Sequence, residues 1–180
     1  MNKLLVVVDY QYDFVDGSLG FLKAKELEDK IYNKVKQYKN NKEFVIFTYD
    51  THYNDYLKTR EGKALPVKHC IEGTKGHKLY GRLQEFKNYG DHFMKNTFSI
   101  EQNIIKIAKN LDIEEIELVG VATNICVISN AITFQTIFPN TKITVDASCC
   151  ASFNDDLHEK ALDIMEGLQM NIINRDREDK

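Results

Sequence analysis

The stretch LLVVVDYQYDF, residues 4 to 14, decides the architecture. Leu4 to Val8 is a short apolar run, rich in β-branched residues and without polar alternation, the pattern of a strand covered on both faces. Such a strand needs partners above and below it, and the rest of the chain supplies them by alternation. Residues 25 to 40 place Leu27, Ile31, Val35 and Tyr38 at three- and four-residue spacing, which predicts a helix. Phe44 to Phe47 reads as a second strand. Ile100, Ile104, Ile107 and Leu111 mark a helix over 100 to 111, and Ile116 to Val121 a strand. Residues 125 to 137 read as a helix, Lys142 to Val145 as a strand, Asp155 to Gly167 as a helix and Met170 to Ile173 as a last strand. This βαβα order predicts an α/β fold whose parallel sheet carries helices on both faces.

Bulk composition narrows the function classes. A chain of 180 residues, 43% hydrophobic and 28% charged, fits one domain with a sizeable core. A net charge of -3 gives no general attraction to nucleic acid or acidic membranes. No apolar segment is long enough to span a bilayer, and the run before Asp9 is too short for a signal peptide. The expectation is a cytoplasmic protein with reduced thiols. The four cysteines include no CxxC, which argues against a disulfide scaffold or a zinc ribbon, and Cys149 and Cys150 are expected to be small, half-buried residues. There is no internal repeat, low-complexity tract or linker, and the charged tail 175 to 180 is expected to fray.

One region breaks the alternation. From Asp50 to about Gly90 the chain is polar and holds Gly62, Pro66, Gly73, Gly76, Gly81 and three of the five histidines. A loop this long in a compact domain is functional or disordered, and this one begins at the carboxyl end of a strand, where open α/β sheets bind ligands. Asp50 and His52 alternate along the strand end and so point to one side. With Glu61 and His69 they form a set of donors suited to a borderline divalent metal. The competing reading is a surface loop that happens to hold histidines, since His77 and His92 occur as well.

Three residues could carry chemistry. Cys126, in GVATNICV (120 to 127), stands where a strand gives way to a helix. With Thr123 or Asn124 as N-cap it falls in the first turn, where the helix dipole lowers a thiol pKa. A fall of about two units from ~8.5 makes it mostly thiolate, worth roughly 2.7 kcal/mol. The alternative is an inert buried cysteine. Asp9 ends an apolar strand, and a carboxylate buried there is costly unless paired or raised in pKa, as a general base would be. It reads equally as a cap on the following loop, as do Asp13 and Asp16. Lys95, in HFMKNTF, reads as a solvated strand-end residue with Phe93 or Met94 buried beside it.

Taken in order, VVVDYQYDF, YDTH, LPVKHCIEGTKG, FMKNTF and GVATNICV resemble the isochorismatase-like cysteine hydrolases, nicotinamidase branch, over nearly the whole chain. The resemblance implies a Rossmann-like three-layer sandwich with a mostly parallel central sheet. It implies a triad of Asp9, Lys95 and Cys126, and metal ligands Asp50, His52 and His69. The family's further histidine is missing between His52 and His69, and Glu61 takes its place. A cis peptide at Val121–Ala122 would aim the N–H groups of Ala122 and Cys126 at one point as an oxyanion hole. In a chain without tryptophan, Phe14 supplies part of the surface on which the substrate stacks. The implied cofactor is one divalent metal ion, zinc ahead of iron or manganese. The implied reaction is deamidation of nicotinamide to nicotinate and ammonia through a cysteine thioester, a step of NAD salvage. The partner is then a small-molecule amide, and assembly as a dimer or tetramer follows the family. Two alternatives stand: a same-fold amidohydrolase acting on another small amide or a carbamoyl or ureido compound, and a non-catalytic α/β ligand-binding module with Cys126 as a redox thiol. Absence of GxGxxG and GxxxxGK[ST] counts against the module.

Overall fold

The computed structural model describes residues 2–100 and 112–176; the helix expected over 100 to 111 lies, but for its first residue, outside them. Six strands form one sheet in the order β3-β2-β1-β4-β5-β6. They are β1 (Lys3–Val8), β2 (Phe44–Asp50), β3 (Asp91–Lys95), β4 (Glu115–Val121), β5 (Lys142–Ala151) and β6 (Asn171–Ile173). Every pairing is parallel. The order reverses between β1 and β4, which puts the topological switch point, the natural ligand crevice of a doubly wound sheet, at their carboxyl ends.

The central place of β1 follows from its composition. Leu4, Val6 and Val8 enter one core with Leu118, Val127, Phe134, Leu162 and Met165. Leu5 and Val7 enter the opposite core with Ile31, Val35, Phe47 and Leu83. Each such side chain, fully buried, contributes about 1.5–3 kcal/mol. The second core is roofed by α3 (Glu28–Asn40), which turns Ile31, Tyr32, Val35 and Tyr38 inward, and the first by α5 (Ile128–Ile137) and α6 (Asp155–Gly167). Short helices α1 (Tyr12–Val15), α2 (Leu22–Lys25) and α4 (Arg60–Ala64) complete the described helical elements, apart from single 3-10 and π turns. None of the helices among the described residues is long and apolar enough to cross a membrane.

Several elements depart from the sequence expectation. β2 continues past Phe47 through Thr48, Tyr49 and Asp50, because β3 pairs with it as far as Asp50↔Lys95. β5 continues past Val145 to Ala151, held by the pairs Gly120↔Cys150 and Val121↔Ala151. Cys149 and Cys150 are therefore buried rather than half-buried, at 3% and 5% exposure, and face opposite cores. The 50–90 region is structured by α4 and by turns at Tyr56–Lys58 and Gly81–Phe86. In the tail expected to fray, Arg175 is tied to α6 through Glu159 and Asp163, each at 2.7 Å; residues 177–180 lie outside the description. Gly120, with φ +119°, lets β4 approach β1 at the switch point: a Cβ there would stand 2.1 Å from the Val8 carbonyl oxygen.

At the amino end of the sheet, Glu115 accepts a hydrogen bond from Thr144 at 2.6 Å and pairs with Lys3 at 2.8 Å and Lys142 at 3.1 Å. Burial opposes its charge, but these partners hold the carboxyl down at about 2. A depressed folded pKa stabilises the protein above the unfolded value of about 4.3, and that contribution is lost as pH falls toward the folded value. Glu115→Gln is therefore expected to be less stable than the native chain at pH 7 and to lose less between pH 5 and 2. Urea midpoints at both ends of that range check this; parallel pH profiles for the two proteins would refute it.

Candidate active site

Four strand ends meet above the switch point. Asp9 follows β1 directly, with φ +45°. Asp50 closes β2 and Lys95 closes β3, opposite one another in register. Cys126 follows β4 in a single π turn, Thr123–Val127, which leads into α5. Asp9, Lys95 and Cys126 are buried, at 0%, 3% and 6% exposure. Lys95 is thus not solvated. Alternation along β3 turns its ammonium inward, leaves Met94 exposed and keeps Phe93 half-buried.

The ammonium organises the group. Lys95 Nζ lies 2.6 Å from Asp9 Oδ2, donates to Thr97 O at 3.0 Å and stands 3.8 Å from Cys126 Sγ. Asp9 Oδ1 accepts from Thr48 Oγ1 at 2.6 Å, while Oδ2 has the ion pair but no partner in hydrogen-bond geometry. Burial raises the Asp9 carboxyl above the usual carboxylate range in spite of Lys95. Burial also acts against the charge of Lys95, yet Asp9 and the other negative neighbours raise its pKa and keep it an ammonium.

Cys126 differs from expectation in two ways. The N-cap position is taken by Ala122, whose carbonyl accepts the N–H groups of Ile125 and Val127 at 3.1 Å. Thr123 Oγ1 instead meets His158 Nδ1 at 2.8 Å, and Asn124 Oδ1 accepts from Ser152 Oγ at 2.5 Å. The thiol pKa is not lowered: burial pushes it well above the ordinary cysteine value, only partly offset by Lys95. Burial thus raises the thiol and the Asp9 carboxyl alike, and Lys95 lies against both. The Val121–Ala122 peptide is cis.

Beside the triad, Asp50, His52 and His69 bring one ligand atom each within 4.8 Å of the others, all three residues buried. Asp50 Oδ2 is 3.0 Å from His52 Nε2 and 3.2 Å from His69 Nε2. Glu61 Oε1, on α4, stands 3.8 and 3.9 Å from the same two nitrogens. Thr59 caps α4 by accepting from Gly62 N–H at 2.9 Å, which sets Glu61 in its first turn. Ligands ~2.1 Å from a tetrahedral ion stand about 3.4 Å apart, so the spacings about Asp50 and Glu61 suit a divalent metal. Two further observations agree. His52 Nε2 is buried with no hydrogen-bond partner. His69 Nδ1 lies 2.8 Å from the Val67 carbonyl, and an N–H donated there leaves Nε2 with its lone pair turned to the cluster. Burial opposes the charge of Asp50, but the two histidines hold its carboxyl well below the usual range. The rings of Tyr56 and Phe14 pack against His69 with centroids 5.0 and 5.5 Å away.

Two buried residues escaped the sequence reading: Thr48, which holds Asp9, and Gln11, which holds the backbone of Asp50. A lone Gln between aromatics in DYQYDF was the available signal for the second.

A buried thiol, carboxyl and ammonium thus lie in one group at the carboxyl end of a doubly wound sheet. The Isochorismatase domain matches residues 3–177, and the chain belongs to that family. It is 30% identical over 174 residues to the Bacillus subtilis (strain 168) protein named uncharacterized isochorismatase family protein PncA, covering 90% of this chain and 93% of that one. The crystal structure of pyrazinamidase/nicotinamidase from Streptococcus mutans UA159 superposes with a TM-score of 0.83 at 29% identity, over 96% of this chain and 100% of that one. Pyrococcus horikoshii pyrazinamidase in complex with zinc shares the fold, with a TM-score of 0.85 at 20% identity over 97% and 100% of the two chains.

Proposed function

We propose that the chain deamidates nicotinamide to nicotinate and ammonia. The observation that carries the reading is the contact of Cys126, Lys95 and Asp9 in one buried group beside a cluster of Asp50, His52, His69 and Glu61. Identity of 29% to a pyrazinamidase/nicotinamidase supports the substrate class.

In this reading Asp9 Oδ2 takes the thiol proton as Cys126 Sγ forms a bond to the amide carbon. The Ala122 and Cys126 N–H groups receive the developing oxyanion. Collapse breaks the C–N bond, Asp9 gives its proton to the departing ammonia, and a thioester on Cys126 remains. Asp9 then takes a proton from water, which adds to the thioester carbon; the C–S bond breaks, nicotinate leaves and Cys126 recovers its proton. Lys95 keeps the positive charge beside both anions throughout. Asp50, His52, His69 and Glu61 would hold the metal, which when bound supplies a Lewis-acid site for the ring nitrogen of the substrate. Phe14, packed on His69, offers an aromatic face to that ring. The free, buried cysteines suit the reducing cytoplasm.

Ammonia release from nicotinamide by the purified protein tests this. Stripping with a strong chelator is expected to remove at least nine-tenths of the rate, and added Zn²⁺, Fe²⁺ or Mn²⁺ to restore it. No release from metal-loaded protein would refute nicotinamide as the substrate and turn the search to other amides and to carbamoyl or ureido compounds.

A further inference from the structure

This inference rests on the reading of Asp50, His52, His69 and Glu61 as metal ligands, and it concerns a residue outside that set. After Val8 the chain leaves the sheet, Asp9 turning it with φ +45°. The β1–β2 register ends at Val7↔Phe47. Asp50 therefore has Lys95 of β3 on one side and no strand on the other. Gln11 fills that gap with its side chain. Its Oε1 accepts the Asp50 N–H at 2.8 Å and its Nε2 donates to the Asp50 carbonyl at 2.9 Å, which reproduces a peptide rung on the orphaned edge. Nε2 also donates to the His77 carbonyl at 2.9 Å, so both amide hydrogens are used.

Gln11 is fully buried. Burying a carboxamide is costly unless it is bonded throughout, and here two of its three bonds go to the backbone of one residue. The same short segment grips the other half of the cluster. Asp13 Oδ2 accepts the N–H of Cys70, the residue after His69, at 2.8 Å. Cys70 O in turn accepts the His52 N–H at 3.0 Å. The chain from Asp9 to Asp13 thus touches the triad at its first residue and the ligand segments at its third and fifth.

We propose that Gln11 is a positioning residue of the metal centre. It fixes Asp50 against the segment that carries Asp9, so that the metal ligands and the triad keep one mutual geometry.

The test is Zn²⁺ binding by the metal-free protein, measured by competition with a chromogenic chelator, for the native chain and for Gln11→Leu. Affinity is expected to fall about 10- to 100-fold, the usual effect of losing a group that orients a ligand. Phe134→Leu, in the first core and away from the ligand cluster, serves as a destabilised control and is expected to keep native affinity at a comparably lowered Tm. Alkylation of Cys126 by iodoacetamide is expected to keep its native rate in Gln11→Leu within about twofold. If Gln11→Leu is insoluble, Gln11→Glu reads the same property, because its carboxylate cannot donate to the Asp50 carbonyl. Native affinity in either Gln11 variant, or equal loss in Phe134→Leu, would overturn the proposal while leaving the metal reading intact. A native chain that takes up no Zn²⁺ would overturn the metal reading and the proposal together.

Discussion

Cys126→Ala is expected to reduce ammonia release from nicotinamide to background, a loss of at least about 10⁴-fold in kcat. The size follows from what remains once Sγ is gone. Asp9 and Lys95 still pair at 2.6 Å, and the amides of the turn remain, but nothing is left to form a covalent bond to the amide carbon. Zn²⁺ affinity should be unchanged, because Cys126 is not among the ligand cluster. Stability should move by only about 1 kcal/mol, since a single small group is removed. Cys126→Ser is expected to fall nearly as far, a hydroxyl being a much poorer nucleophile at this proton affinity. Rates in both variants, with metal content assayed on the same samples, decide the matter. Residual release above about 1% of native would mean that water attacks directly and that the thiol is not the nucleophile.

The largest stability effect is expected at Lys95. Lys95→Met removes the ammonium from a carboxylate with no exposure of its own. Breaking one side of a buried pair costs about 3–5 kcal/mol, because the remaining charge is uncompensated. Asp9 can relieve that by binding a proton, and its folded pKa, already raised by burial, would rise further. The folded state then binds more protons than the unfolded state, so the variant should be more stable at pH 5 than at pH 8. Adding Asp9→Asn should recover much of the loss, since a neutral amide needs no counter-charge. Urea unfolding of the two single variants and the double variant closes the cycle, with a coupling of about 2–3 kcal/mol expected. A Lys95→Met protein within about 1 kcal/mol of native at pH 8 would show that the pair is not held as ions.

Fold and site were legible to different depths. Apolar runs announced β1 and β4, and spacing announced α3, because strand and helix periods leave marks that survive in any context. The carboxyl ends of β2 and β5 left none. Thr48-Tyr49-Asp50 and Ala147-Ser-Cys-Cys-Ala151 are strands because neighbouring strands pair with them, which composition does not record. The residues named from the sequence do come together in space, but the surroundings of two of them, Lys95 and Cys126, were misread. Lys95 looked like a solvated strand end, yet alternation from Met94 turns it into the core. Cys126 looked like a thiol activated by a helix terminus, but its burial dominates. Desolvation depends on what lies overhead in space, and that information is spread over the whole chain. Gln11 escaped for a related reason: its partner, Asp50, is thirty-nine positions away.

Asp9, Asp50 and Lys95 stand at the ends of three adjacent strands, and the length and register of those strands decide which residue each end presents. One residue inserted into or deleted from β2 would shift its end by about 3.3 Å, forward or back, and turn the side chains beyond the change to the opposite face. The chain could then keep its hydrogen-bonded sheet and still deliver Asp50 to the wrong layer. Length changes in the turn at Asn41–Glu43, at the far rim of the sheet, carry no such consequence, since they leave the count from Phe44 to Asp50 intact. Strand length is in this sense an inherited dimension of the site, while loop length on the opposite rim is free to drift.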